Sequence, residues 1–458
     1  MRRKIARLQQ AAVSQLESVF AEIIPPDLLP QAESGPNSRN RSYSMRVTFW
    51  AFLSQALCPG SSCRETVRKV QADFHQQGEP TVAEDTGADC IARGRLPMPV
   101  LQRVDQHVIQ HLQQKTPSDN LWLGRDVKIL DGTTLSMPDT PENQAAYPQP
   151  SSQKPGCGFP ILRLVALFSL ANGALLHAAK GTLRIHESRL CRQLWGFLKK
   201  GDLILSDRGF CSFAAIAGLR QQGVDSVMRL HQRRSADFRK GKSLGPHDRL
   251  IQWKKPVQKP KSMTEEEFNA LPGQLILRLV KILITAPGFR TRQIVLVTSL
   301  LNPTAYPPEA LADLYLRRWK IELSFRELKT TLQLEVLRCL TPKMIEKELL
   351  MHRIAYNLIR FLMLQAAVTC QVPLPRISFK GTVDTLRHWS GLIHRAKGKK
   401  RKALITQLLS ILAADQLPHR PNRREPRCIK RRPKPYQYLT RPRHQMREIP
   451  HRNKYRKP

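Results

Sequence analysis

Long apolar runs, paired cysteines and internal repeats are all missing from this chain of 458 residues. No uncharged apolar run reaches ~18 residues, so we expect no membrane-spanning helix. The basic start "MRRKIARLQQ" is not followed by the apolar core or cleavage site of a signal peptide, which predicts a cytoplasmic protein. Nine cysteines are scattered singly, and the closest pair, Cys58 and Cys63, lacks a common zinc or redox spacing. The sequence therefore predicts neither structural zinc nor disulfides.

Acidic residues are also in short supply. The chain has 36 Asp and Glu against 75 Lys and Arg, a net charge of +39. Such an excess indicates a polyanionic partner, because neutralised phosphates release their counterions. A membrane surface is the rival partner, but no amphipathic helix with a basic face stands out. We therefore expect a nucleic-acid-binding protein with no membrane contact.

Much of the positive charge lies at the end of the chain. Residues 395–458 carry 21 Lys or Arg and three acids, a net charge of +18. Within them, "AKGKKRK" and "RREPRCIKRRPKP" have few large apolar residues, so we expect extended or disordered chain. This arm could bind nucleic acid non-specifically or merely keep the protein in solution.

The order of apolar patterns divides the chain into three parts. Residues 1–118 read as several helices, with helical spacing at 6–24, 45–57, 61–74 and 97–114. They form a DNA-binding domain or, on periodicity alone, a packing or oligomerisation unit. Residues 119–370 alternate strands and helices, which predicts an α/β domain with a mixed sheet and a β-rich insertion at about 231–290. Residues 371–458 form the basic C-terminal region, partly disordered.

Three stretches define the α/β part most clearly. "PILRLVALFSLANGALLHAAKGT" predicts two strands that turn at Asn172-Gly173. "QLILRLVKILITAPGFRTRQIVLVTSL" predicts long antiparallel strands that turn at Pro287-Gly288. "KELLMHRIAYNLIRFLMLQAAV" predicts a buried helix. "HESRLCRQLWGFLKK" is read as a helix closed by Gly201, with His186-Glu187 at its start explained by the helix dipole alone.

Two aspartates follow buried strands. Asp131 ends the strand in "KILDGT", and Asp207 ends the strand in "LILSDRG". Carboxylates at the ends of neighbouring strands converge at one edge of an open sheet, where ligands bind. Asp-Gly is also an ordinary turn dipeptide, so a turn without a function is the alternative for Asp131.

The stretch "LYLRRWKIELSFRELKTTL", residues 314–332, predicts a helix with two adjacent faces. Five apolar side chains share an arc of roughly 60°, which predicts a buried stripe: Leu314, Ile321, Phe325, Leu328 and Leu332. Beside this stripe, four polar side chains form a second row at the edge of a cleft: Tyr315, Arg318, Glu322 and Lys329.

Glu322 would be a third carboxylate beside Asp131 and Asp207. Three carboxylates favour hard divalent ions, Mg²⁺ or Mn²⁺, over zinc. A pair of such ions could activate a water or a 3′-hydroxyl for phosphodiester transfer. Arg318 and Lys329 could hold phosphates. The alternative for Arg318 and Glu322 is a plain ion pair across one helical turn.

These motifs together resemble a known family. Tyr-x2-Arg-x3-Glu-x6-Lys resembles the signature of the cut-and-paste DDE transposases of the insertion-sequence-four family, and "LDGTTL" and "LILSDRGF" resemble its two aspartate motifs. The β-rich segment between Asp207 and Glu322 resembles the insertion that these enzymes carry in an RNase H-like domain. "RSYSMRVTFWAFLSQAL" and "IARGRLP" resemble the family's N-terminal region. The resemblance covers roughly residues 15–370.

The resemblance implies a mechanism. Asp131, Asp207 and Glu322 would be catalytic and would bind two Mg²⁺ per active site, with Mn²⁺ as a substitute. Water would nick one strand at the terminal inverted repeat, and the freed 3′-hydroxyl would form a hairpin before strand transfer into target DNA. Tyr315, Arg318 and Lys329 would bind the DNA ends, within a homodimer on the DNA.

Other points stay open on the sequence. Family relatives stack an aromatic side chain on a flipped base. Trp253 and Trp319 are candidates here, although both could be packing residues. A nuclease of the same fold without strand transfer, and a basic DNA-binding protein with structural acids, remain alternatives to a transposase.

Overall fold

The computed structural model describes residues 14–30, 41–78, 80–284, 293–418 and 438–446. Helices that precede the sheet are α1 (Gln15–Phe20), α2 (Met45–Leu57), α3 (Cys63–Gln77), α4 (Gly87–Arg95) and α5 (Met98–Lys115). Helices between strands are α6 (Pro141–Ala146), α7 (Glu187–Gln193), α8 (Phe213–Gln221) and α9 (Glu265–Asn269). Helices after the sheet are α10 (Pro308–Arg317), α11 (Lys320–Arg326), α12 (Pro342–Thr369), α13 (Phe379–Arg395) and α14 (Gly398–Ala414).

Nine strands form one sheet in the order β3-β2-β1-β4-β5-β9-β8-β7-β6. They are β1 (Val127–Ser136), β2 (Ile161–Ser169), β3 (Leu175–Thr182), β4 (Leu203–Ser206), β5 (Asp225–Arg229), β6 (Lys242–Gly245), β7 (Asp248–Lys254), β8 (Gln274–Leu283) and β9 (Gln293–Thr298). An antiparallel meander β3-β2-β1 continues into β4 and β5, which run parallel to β1. This is the RNase H-like topology, and it confirms the predicted fold class.

The β-rich insertion extends the same sheet. Strand β9 pairs antiparallel with β5 on one side and with β8 on the other, and β7 and β6 follow outward. The two long antiparallel strands predicted in this region are therefore confirmed as β8 and β9, while their turn at Pro287-Gly288 lies outside the described residues. The insertion therefore continues the sheet whose strands β1 and β4 lead to the two candidate aspartates.

The hairpin between β2 and β3 is confirmed at Asn172-Gly173. Gly173 has φ +74°, a backbone conformation that favours glycine. A side chain there would also meet the Arg360 guanidinium of α12 at 3.0 Å. The turn is therefore tied both to local geometry and to the helix that packs against it.

Two apolar cores lie on the two faces of the sheet. One contains α12, the predicted buried helix, together with α1, α2, α5, α10, α11 and the C-terminal helices. The other contains α7, α8 and residues of the insertion, such as Leu190, Phe213 and Leu277. Because helices α1, α2 and α5 share a core with α12, for example through Leu101 and Ile354, they pack on the same side of the sheet as α12. The proposed boundaries at 118 and 370 stay a prediction.

Most predicted helices are present, with differences in extent. The helices predicted at 45–57 and 61–74 are confirmed as α2 and α3, and Ser62 Oγ caps α3 by accepting from the Glu65 amide at 3.1 Å. The helix from His186 is shorter than predicted, since α7 ends at Gln193 and a 3₁₀ turn follows. Helix α4 was not predicted. Of the first predicted helix only Gln15–Phe20 is helical in the described part, because residues 1–13 lie outside it.

The prediction of extended or disordered chain at "AKGKKRK" is wrong. The basic residues form the first turn of α14, whose later residues Leu408, Leu409 and Leu412 are buried. The apolar half of the helix packs into the core, and this packing stabilises the helical conformation of the charged first turn. The second basic stretch, residues 423–435, lies outside the described residues. None of the helices in the described ranges is long and apolar enough to cross a bilayer.

Candidate active site

The register of β1 and β4 brings the two predicted aspartates side by side. The last parallel pair joins Leu130 to Ser206, so Asp131 and Asp207 are the next residues on the two strands. The prediction that Asp131 ends its strand is wrong, because β1 continues to Ser136 and pairs Asp131 with Ala166 of β2. Strand β4 ends at Ser206, so the β4 side of β1 is open from Asp131 as far as Ser136, which bridges to Val336.

Asp131 carries a partly buried carboxylate with the Arg318 guanidinium beside it. Its Oδ1 accepts from the Gly132 amide at 2.8 Å, and its Oδ2 lies 3.4 Å from Arg318 Nη1. Burial raises the pKa of Asp131 to about 6; the Gly132 amide and Arg318 oppose this, while the charges of Asp207 and Glu187 add to it. A cation at this place would relieve the cost of the buried charge.

Asp207 begins the turn that follows β4. Its Oδ1 accepts from the Gly209 amide at 2.8 Å, two residues on. This Asx-type hydrogen bond fixes the turn and leaves the second carboxylate oxygen unused by it. The arrangement holds the Asp207 carboxylate at the open end of β4.

The segment 314–332 is helical in three pieces. Helix α10 ends at Arg317, α11 spans Lys320–Arg326, and a π-helical segment follows over Glu327–Thr331. The predicted buried stripe of this segment is confirmed, since all five of its apolar side chains are buried. The π segment starts at Glu327, whose partly buried carboxylate pairs with Arg360 of α12. Single-turn π segments of this kind frequently occur at functional sites.

Arg318 lies between two of the predicted carboxylates. Its Nη1 is 3.4 Å from Asp131 Oδ2, and its Nη2 is 4.0 Å from Glu322 Oε1. The Glu322 side chain is 59% exposed, against 23% for Asp131. The buried Nε of Arg318 has no hydrogen-bond partner among the described residues. Arg318 therefore connects the helix to β1 and keeps the third carboxylate at the mouth of the site.

Tyr315 and Lys329 take different positions from the rest of the row. Tyr315 is only 1% exposed, its ring meets Trp319 edge-on at 6.3 Å, and burial raises its pKa. Lys329 Nζ lies 3.7 Å from Glu335 rather than beside a predicted carboxylate. The structure thus brings Arg318 and Glu322 to Asp131, places Tyr315 underneath them, and pairs Lys329 elsewhere. The role of these side chains in DNA binding stays a prediction.

The two aromatic candidates for base stacking are both partly or fully buried. Trp253 on β7 lies under the Arg234 guanidinium at 3.9 Å. Trp319 is 5.3 Å from the Arg318 guanidinium. A cavity of about 600 Å³ opens next to the Asp207 turn, with Gly209, Arg234 and Trp195 in its wall. Neither tryptophan is distinguished as a base-stacking residue by these contacts.

The oxygen donors of this site fit a hard divalent cation. Carboxylates of Asp131, Asp207 and Glu322 are the ligands that Mg²⁺ and Mn²⁺ prefer. Among the described residues, the only group of three whose ligand atoms all lie within 4.8 Å of one another is Cys63, Asp89 and Cys90. There the Arg93 guanidinium already lies 2.8 Å from the Asp89 carboxylate, so a positive charge is in place.

Sequence reasoning missed one residue next to the site. Glu187 was assigned to the dipole of its helix, yet its carboxylate reaches Gly132 on β1. A signal was present in the glycine after Asp131, which had been read as part of a turn. Only the folded structure shows that the absent side chain of Gly132 leaves room for the Glu187 carboxylate.

The chain is similar to proteins described as transposases. The family described as transposase DDE domain matches residues 122–358. The chain is 28% identical over 430 residues to "Transposase InsG for insertion sequence element IS4" of Escherichia coli (strain K12), covering 92% of this chain and 93% of that protein. It is 27% identical over 150 residues to "Putative transposase InsZ" of the same organism, covering 31% of this chain and 50% of that protein.

The chain also resembles a solved structure. It is a piggyBac transposase synaptic complex with hairpin DNA, 11% identical, with a TM-score of 0.41 and coverage of 88% of this chain and 82% of that one.

Proposed function

Because the chain belongs to the insertion-sequence-four family of DDE transposases, we propose that it cuts DNA at the terminal inverted repeats of its own insertion sequence and joins the 3′-hydroxyl ends to target DNA. The chemistry is two-metal-ion phosphodiester transfer through a hairpin intermediate. The observation that carries the proposal is the register Leu130–Ser206, which makes Asp131 and Asp207 neighbours at the open edge of β1. Glu322 faces the same place across Arg318.

Asp131, Asp207 and Glu322 are proposed as the catalytic residues and the ligands of two Mg²⁺, with Mn²⁺ as a substitute. Such ions, when bound, lower the pKa of an attacking water or hydroxyl and stabilise charge on the leaving oxygen. The chain's own contribution is to hold three carboxylates in fixed positions. Asp131 is set by its strand, Asp207 by its turn, and Glu322 by the helix that the buried stripe anchors to the core.

Arg318, Lys329 and Tyr315 are proposed to hold the DNA ends. Arg318 already has its guanidinium at the site. Two oxygens of a phosphate group would be a better bidentate partner for it than the Glu322 carboxylate, which lies 4.0 Å away. Lys329 would exchange its contact with Glu335 for a phosphate. Tyr315, which is buried, would act by supporting Arg318, whose guanidinium lies 5.8 Å from the tyrosine ring.

The proposed partners are double-stranded terminal repeats and target DNA, with two copies of the chain in the DNA complex. The net charge of +39 supports DNA, a polyanion, as the partner. The rival functions are a nuclease of the same fold without strand transfer and a non-catalytic DNA-binding protein.

The test is a reaction on a labelled duplex that carries the element's terminal repeat, in Mg²⁺ and in EDTA. Wild type should give hairpin and joined products only in Mg²⁺, while Asp131→Asn and Glu322→Gln should bind the duplex and not cut it. Glu309→Gln, an exposed glutamate at the start of α10, is the matched control and should react as wild type.

Each rival predicts a different product. Cleavage without joined product, in the presence of target DNA, would favour the nuclease. Binding by wild type without cleavage in either Mg²⁺ or Mn²⁺ would favour the DNA-binding protein and would contradict the catalytic proposal.

A further inference from the structure

Gly132 is a strand residue whose missing side chain has a specific consequence. It pairs with Val165 inside β1, so it is not part of a turn, and its φ is not in the left-handed region. A Cβ built at Gly132 would lie 2.9 Å from Glu187 Cδ, 2.9 Å from Oε1 and 3.3 Å from Oε2. The Glu187 carboxylate therefore fills the space that any other residue would occupy.

The position of this space matters because of its neighbours. Gly132 follows Asp131, at the point where β1 has lost its pairing with β4 and its edge is open. Residue 132 faces the sheet side covered by α7, whereas Asp131 faces the side of Arg318. Glu187, the first residue of α7, thus reaches the open edge from the opposite side of the sheet.

The Glu187 carboxylate makes a long contact with its basic neighbour Arg163, which leaves its oxygens available to a ligand. Arg163 Nε lies 3.9 Å from its Oε1, a long contact, while Arg163 Nη1 donates to the Ile185 carbonyl at 2.7 Å. Arg163 therefore contacts the backbone before α7 more closely than it contacts the Glu187 carboxylate. Glu187 meets the residue next to Asp131, so the two carboxylates flank the same short stretch of β1. A favourable helix dipole explains a glutamate at a helix start but does not explain a carboxylate laid against β1.

We propose that Glu187 supplies a fourth carboxylate to the metal site of Asp131, Asp207 and Glu322, and that Gly132 is there to let it in. The inference rests on the proposed function, since it assumes that these carboxylates bind divalent ions. It assigns to Glu187 a direct contact with the ion or with its water shell. It also gives Gly132 a role in positioning.

The first experiment measures Mn²⁺ binding rather than activity. Electron paramagnetic resonance titration would follow free Mn²⁺ against the full chain bound to a duplex of the terminal repeat. Glu187→Gln should weaken Mn²⁺ binding on the order of tenfold or more, as loss of a metal-site partner does. The matched control is Glu142→Gln, an exposed acid in the first turn of α6, which should bind as wild type.

Asp207→Asn separates the two possible failures. If Asp207→Asn weakens Mn²⁺ binding and Glu187→Gln does not, the fourth carboxylate is wrong and the proposed function stands. If wild type shows no saturable Mn²⁺ binding, the metal site itself is wrong and the inference falls with it. Thermal unfolding of each variant without metal checks that the fold is intact.

A double-mutant cycle tests the role of Gly132. Gly132→Ala should displace the Glu187 carboxylate and weaken Mn²⁺ binding in the wild-type background, with little further effect when Glu187 is already Gln. Gly94→Ala, where a Cβ would meet nothing within 4 Å, is the control and should leave Mn²⁺ binding unchanged. Equal effects of Gly132→Ala in both backgrounds would overturn the link between the two residues.

Discussion

Removal of one arginine from the insertion should destabilise the extended sheet strongly. Arg278 on β8 is 0% exposed, and its Nε and Nη2 donate to the Asp248 carboxylate of β7 at 2.8 and 2.5 Å. Its Nη1 donates to the Tyr306 carbonyl at 2.7 Å, in the loop that leads to α10. The pair therefore ties the insertion to the segment that carries Glu322.

The expected cost follows from what Arg278→Met leaves behind. Asp248 would keep a buried carboxylate without its partner, and breaking a buried pair in this way costs about 3–5 kcal/mol. Arg278→Met/Asp248→Leu should recover most of this free energy, because neither charge stays buried. The Tyr306 carbonyl would still lack its hydrogen-bond donor, and this loss costs about 1 kcal/mol of stability.

The assay is guanidinium denaturation followed by tryptophan fluorescence, which gives the free energy of unfolding. Arg239→Met, at an exposed arginine paired with Asp237, is the control and should show no measurable change. A loss below about 1 kcal/mol in Arg278→Met, or a double variant as unstable as the single one, would refute the reasoning.

Three other substitutions have defined outcomes. Burial raises the pKa of Asp73 from 3.8 to about 6 although Lys69 opposes it, so folding favours the protonated form and wild type should lose up to about 3 kcal/mol of stability between pH 4 and pH 7. Asp73→Asn should lack this loss, and parallel stability–pH curves would contradict it. Tyr356→Phe removes a donor to the Gly173 carbonyl at 3.0 Å and an acceptor for Arg360 Nε at 2.9 Å; its unfolding free energy should fall by about 1–3 kcal/mol. Leu408→Ala should cost about 2–5 kcal/mol in thermal unfolding if α14 is packed, and no change would mean that it is not.

Elements with strong local signals could be predicted from the sequence. The cap Ser62 marks the start of α3, because its hydroxyl accepts from a backbone amide three residues on. Asn172-Gly173 marks the turn between β2 and β3, since glycine adopts the required φ. The buried stripe of the segment 314–332 follows from its period alone.

Features that depend on distant partners could not be predicted. Asp131 lies inside β1 because it pairs with Ala166 of β2, 35 positions later, while Asp-Gly alone indicates a turn. Glu187 meets Gly132 only through the packing of α7 on the sheet. The basic start of α14 hid a helix, because the composition of a short stretch says nothing about Leu408 and Leu412 further on.

A change of metal specificity would test most directly that the carboxylates of the β1–β4 edge hold the catalytic ions. In Asp207→Cys, a soft thiolate replaces a hard carboxylate at the start of the turn after β4. Cleavage of the terminal-repeat duplex by this variant should be lost in Mg²⁺ and restored at least in part by Mn²⁺, while wild type cuts with either ion. Full activity of Asp207→Cys in Mg²⁺ would contradict a role for Asp207 in metal binding.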